Sequence, residues 1–146
     1  MISFPPEYIF QNIQAGQVYL MRHPDYPEKK HFFVVVNFNP SQDDEHIIVV
    51  CTSKIEKAKR FCAIGGLPQE TIVELAPADY KHFNKNTVIN CNNAELMPKQ
   101  ELIDCLRIGR LEIRTPVGPE ILSKIRRGIL CSPRVKRGIK KKLVIK

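Results

Sequence analysis

After Gly16, residues 17–22 (QVYLMR) alternate apolar and polar positions, the period of a strand with one buried face. Residues 32–38 (FFVVVNF) and 46–53 (HIIVVCTS) are apolar at consecutive positions and rich in β-branched side chains, so both faces of these strands are expected to be covered. Between them, residues 39–45 contain only turn formers and polar residues, which predicts a hairpin. Residues 71–75 (TIVEL) and 87–91 (TVINC) are predicted as two further strands, with a helical turn within 78–83, and residues 94–97 are an additional strand candidate. Past Met97 the period lengthens. Pro98 opens a segment with Leu102, Ile103, Leu106 and Ile108 ahead of Gly109, which predicts a short helix ending at that glycine. Residues 120–130 repeat apolar positions at helical spacing, with Lys124, Arg126 and Arg127 on the other side. No crossover helix of ten residues separates the first three strands, so they must pair antiparallel. The expected architecture is mainly β with α: a small, strongly curved antiparallel barrel with short helices and a basic C-terminal helical arm. One domain over residues 1–131 and a basic tail over 132–146 are predicted, the tail being too basic and too broken to pack alone.

Charge sharpens this division. Residues 1–104 carry 10 Lys and Arg against 13 Asp and Glu, net −3, whereas residues 105–146 carry 13 against 2, net +11, which accounts for the whole +8. Such a field draws phosphate polymers, so Arg126, Arg127, Arg134, Lys136, Arg137, Lys140, Lys141 and Lys142 are candidate nucleic-acid contacts. A solvated helix face or an acidic protein partner would account for the same charge.

Other function classes find no support. The longest apolar runs fall far short of the roughly 20 residues of a membrane span. The N-terminus has neither a basic leader nor an apolar stretch, so a cytoplasmic location is expected. Five cysteines stand at positions 51, 62, 91, 105 and 131 without metal-knuckle spacing, and Cys51, Cys91, Cys105 and Cys131 are expected to pack as small hydrophobes in apolar stretches. No HExxH, P-loop or GxGxxG occurs, and no metal or cofactor is implied. His23, ahead of Pro24, is expected to be a solvated loop residue, and His46 and His82 to lie beside polar turns.

Gly16, Gln17, Val18 and Tyr19 at the first strand, a basic segment entering an apolar strand over residues 29–36, a second apolar strand closing in Thr52-Ser53 and a late helix together resemble the PemK/MazF-like toxins over roughly residues 15–132. The resemblance implies an SH3-like barrel, a homodimer, and metal-independent cleavage of single-stranded mRNA restrained by a co-transcribed antitoxin. The family commonly has Asp after the first Gly and Arg-Pro at the start of the second strand; here Gln17 and His31-Phe32 stand in those places. Histidine suits either proton role in metal-free RNA cleavage. A hairpin centred on residues 41–43 sets His31 across from Thr52 or Ser53, within about 5 Å between Cβ atoms. His31, Thr52 and Ser53 are therefore the candidate catalytic residues, and Arg22, Lys29 and Lys30 the neighbouring cations for a phosphate. Three readings stand at this level: an endoribonuclease of this type, a non-catalytic SH3-like module that binds nucleic acid or an acidic protein, and a structural subunit of a larger complex.

Overall fold

The computed structural model describes residues 4–144. Seven strands form one antiparallel sheet: β1 (Val18–His23), β2 (Tyr26–Val35), β3 (Glu45–Thr52), β4 (Ile72–Leu75), β5 (Thr87–Asn90), β6 (Glu95–Pro98) and β7 (Leu111–Arg114). Its path runs β4-β5-β3-β2-β1-β7 without closing, and β6 lies beside β3. The outer edge of β3 is shared: Glu45 to Ile48 pair with β6, and Cys51 and Thr52 pair with β5. Around the sheet stand α1 (Pro6–Phe10), α2 (Ile55–Ile64), α3 (Lys99–Arg107), α4 (Pro119–Cys131) and α5 (Arg137–Lys141). The antiparallel sheet followed by α3 and α4 agrees with the sequence reading, whereas α1 and α2 were not expected and the sheet is open rather than closed into a barrel. Among the described residues no helix is long and apolar enough to cross a membrane.

Two cores explain why β2 and β3 are apolar at consecutive positions. Val18, Val34, Ile47 and Val49 join α4 residues Leu122, Ile125 and Ile129 on one face, while Tyr19, Phe33, Val35 and Ile48 meet Phe10, Leu102 and Ile103 on the other. Successive strand side chains point to opposite faces, so a sheet covered on both sides needs apolar residues at every position. The first core also takes Val135, Ile139 and Leu143, which are 6%, 4% and 3% exposed. This corrects the expectation of a frayed tail: three apolar residues spaced by four positions fold residues 132–144 onto the body, and the charges of the arm line its outer side.

The stretch around His23, expected to be a loop, also differs from the sequence reading. It is not a loop but the end of the β1–β2 hairpin, with His23 paired to Tyr26 across a turn at Pro24 and Asp25. Helix α3 ends as its sequence predicts. Gly109 takes φ +79°, and the amides of Gly109 and Arg110 bond the carbonyls of Leu106 and Cys105.

Gly128 is fixed by contact rather than by backbone angle. A Cβ there would lie 2.6 Å from the Glu70 carbonyl oxygen and 2.7 Å from Cys91 Sγ. Alanine in a helix gains about 1 kcal/mol over glycine, but overpacking against backbone costs about 1–3 kcal/mol. Gly128→Ala is therefore expected to lower the midpoint of thermal unfolding, and a raised midpoint would contradict the close approach.

His46 is fully buried; its Nε2–H donates to the Pro40 carbonyl at 2.8 Å and Nδ1 accepts from the Tyr19 hydroxyl at 3.0 Å. Burial pulls its pKa down, reinforced by Lys99 and opposed by the Pro40 carbonyl and Asp43. A group whose folded pKa is depressed holds fewer protons when folded, so its stabilisation is complete above the unfolded histidine value of about 6.5 and is lost as pH falls below it. The urea midpoint should drop between about pH 7 and pH 5, and His46→Gln should flatten that decline.

Candidate functional site

The face of the sheet that buries the second core turns polar at one end. Pairs Phe33↔Val50, Val34↔Val49 and Val35↔Ile48 centre the β2–β3 hairpin between residues 41 and 42, as the sequence predicts. Carried two residues further, this register brings Thr52, the last residue of β3, opposite His31 on β2. The two share the wall of a cavity of about 680 Å³ that Tyr26, Lys54, Lys57, Phe61, Asn90 and Glu95 also line. A second cavity of about 390 Å³ adjoins it over the same His31–Thr52 rim and is reached by Ser53, Lys29, Lys30 and Lys85.

His31 is half-buried, and its Nδ1 is shielded from solvent with no hydrogen-bond partner. Most buried polar side-chain atoms in folded proteins have a partner, so this nitrogen stands out. The ring of Tyr26 meets it edge-on at 5.5 Å. Tyr26 has its phenol pushed up to about 12, first by burial and then by Glu95 and Asp25, so it stays a neutral donor at physiological pH. The Thr52 hydroxyl accepts the Lys54 amide at 3.1 Å, which orients its oxygen at the entry to α2. From there Lys54, Lys57 and Phe61 recur at helical spacing and present two cations and a ring to the cavity.

His23 is the largest departure from the sequence reading. It is 4% exposed rather than solvated, its ring parallel to Tyr26 at 4.4 Å and 5.7 Å from Phe33. Its Nδ1 accepts the Asp25 amide at 3.1 Å and its Nε2–H donates to Glu95 Oε1 at 2.5 Å.

The candidate cations divide by what they already hold. Arg22 donates to the carbonyls of Pro27 and Glu28, Lys30 pairs with Glu112 at 2.7 Å, and Arg126 ties the carbonyls of Val36 and Asn37 to α4 with its guanidinium 4.2 Å above the Phe38 ring. Arg134 lies 4.9 Å over Phe61, so the start of the arm reaches the cavity wall. Lys29, Arg127, Lys136, Arg137, Lys141 and Lys142 are exposed, and Lys140 is half-buried.

Cys51 neighbours the site in sequence but points into the first core, where burial and then Cys91 push its thiol far up, the opposite of an activated nucleophile. Cys131, expected in the core, is exposed at the end of α4. Among the described residues no group of three or more His, Cys, Asp and Glu side chains is placed to hold a metal ion.

Sequence reasoning missed Tyr26, Lys54, Lys57, Asn90 and Glu95. The i, i+3, i+7 spacing of Lys54, Lys57 and Phe61 was the available signal for the α2 contribution. No protein-family model matches the chain, and no curated protein is similar to it.

Proposed function

We propose that this chain is a PemK/MazF-like, metal-independent endoribonuclease acting on single-stranded RNA in the cytoplasm. The observation that carries the reading is His31: an imidazole with an unpartnered, shielded nitrogen, sharing with Thr52 the rim between two cavities lined by lysines. Metal-free cleavage needs a proton acceptor for the 2′-OH, a proton donor for the leaving 5′-oxygen, and positive charge for the phosphorane-like transition state. His31 supplies a proton role, Thr52 a fixed hydroxyl, and Lys54 and Lys57 the charge. The lysines of the second cavity and the exposed charges of the arm offer a strand its path.

In this reading the open sheet corresponds to the SH3-like barrel of such toxins, the chain pairs with a second copy, and an antitoxin protein covers the site until it is released. His31 takes the position of the family's Arg, exchanging a guanidinium for an imidazole, a side chain that can serve in proton transfer.

The test is incubation of the purified protein with a long unstructured RNA, and with DNA of the same sequence, both in EDTA. RNA should be cut and DNA left whole, because DNA lacks the attacking hydroxyl. RNA bound but never cut would leave the non-catalytic binding module as the function, and cleavage abolished by EDTA would contradict the metal-independent chemistry.

A further inference from the structure

We infer that Glu95 is the base that takes the 2′-OH proton and that His23 positions it, an assignment that rests on the nuclease reading above. Glu95 is the first residue of β6, paired with Ile48 of β3, and its carboxylate lines the same cavity as His31 and Thr52. Among the described residues its one hydrogen bond runs from His23 Nε2–H to Oε1. Oε2 is left to meet a substrate.

Both ring nitrogens of His23 are committed, Nε2 to that carboxylate. The Asp25 amide fills Nδ1, which fixes the tautomer with its proton on Nε2. The parallel Tyr26 ring on one side and Phe33 nearby keep the imidazole from turning. Tyr26 also meets His31 edge-on, so one aromatic residue sets the relation between the two polar ends of the site. A buried histidine with both nitrogens committed and a partly exposed carboxylate at its tip is the arrangement expected of a positioned base.

The division of labour then follows. The Glu95 carboxylate accepts the 2′-OH proton as the 2′-oxygen forms its bond to phosphorus. The bond from phosphorus to the 5′-oxygen breaks, and that oxygen takes a proton from the imidazolium of His31. Glu95 ends protonated and His31 neutral, and exchange with water restores both. Lys54 and Lys57 line the same cavity as the carboxylate and supply positive charge for the phosphate, and Tyr26 and Asp25 lie beside His23.

The experiment is single-turnover cleavage of a long unstructured RNA in EDTA by wild type, Glu95→Gln, His23→Ala, His23→Gln and the double variant Glu95→Gln/His23→Gln, with RNA binding and thermal unfolding measured on each. Glu95→Gln should lower the cleavage rate about 10²- to 10⁴-fold while RNA binding holds or tightens, since a negative charge is removed. His23→Ala should cost up to about 10²-fold through misplacement of the carboxylate, and His23→Gln, which keeps an N–H donor, should recover part of that activity. In the double variant the His23 change should add nothing, because the group it positions is gone. Wild-type rates in Glu95→Gln would overturn the assignment alone. Reduced rates in both His23 variants, with unchanged unfolding and no recovery by Gln, would overturn the positioning role. A wild type that leaves RNA whole would overturn the nuclease reading and this assignment with it.

Discussion

His31→Ala is expected to reduce single-turnover RNA cleavage by about 10²- to 10⁴-fold, the usual cost of losing a positioned acid or base. The size of the effect follows from how few groups of the site can move a proton near neutral pH. Tyr26 has its phenol pushed up to about 12, and the thiol of Cys51 is buried in the opposite core. Lys54 and Lys57 line the cavity as positive charge for the phosphate. The substitution should leave the fold intact, because His31 is half-buried and its main aromatic contact is the edge-on Tyr26. Unfolding midpoints of the two proteins should agree while their rates diverge. Equal rates would remove His31 from the chemistry. Thr52→Val should be the milder lesion, since it deletes one hydroxyl and keeps the side-chain shape.

Deleting residues 133–146 is expected to abolish cooperative folding. Val135, Ile139 and Leu143 are buried in the first core, and truncating one such side chain to alanine costs about 2–5 kcal/mol. Removing all three approaches or exceeds the roughly 5–15 kcal/mol that stabilises a typical domain. A shortened chain with the full-length unfolding midpoint would contradict the packing of the arm. The charge of the arm is tested separately by replacing the exposed Lys136, Arg137, Lys141 and Lys142 with Gln, which leaves the apolar packing in place. If these residues meet phosphates, the log–log salt slope for single-stranded RNA should shrink by about 0.7 for each phosphate that is no longer neutralised.

What could be read from the sequence follows from where the signal was strong. Strands β2 and β3 and their register were legible because two long β-branched runs flank a polar turn, and extending that register past its last pair, Phe33↔Val50, aligns Thr52 with His31. Helices α3 and α4 carried clear apolar periods and, for α3, a terminating glycine. Helix α2 was missed because Lys57, Lys59 and Arg60 interrupt its apolar positions, of which only Ala58 and Cys62 are buried. Strand β7 has only four residues and is defined by its pairing with β1 rather than by its own composition. The arm was misjudged because its charges outnumber its apolar residues, although Val135, Ile139 and Leu143 recur every four positions. His23 beside a proline resembles a loop residue; what buries it is the Tyr26 ring across a turn at Pro24 and Asp25 and the Glu95 carboxylate 72 positions away. Long-range partners of that kind leave no local trace.

The ends of the RNA fragments test the central claim most directly. Wild-type protein cutting a defined RNA in EDTA should leave a 5′-hydroxyl on one fragment and a 2′,3′-cyclic phosphate on the other, because the 2′-oxygen attacks phosphorus and the protonated 5′-oxygen departs. Fragments carrying a 5′-phosphate and a 3′-hydroxyl would mean that water attacks phosphorus and the 3′-oxygen leaves, and would contradict the chemistry assigned to His31.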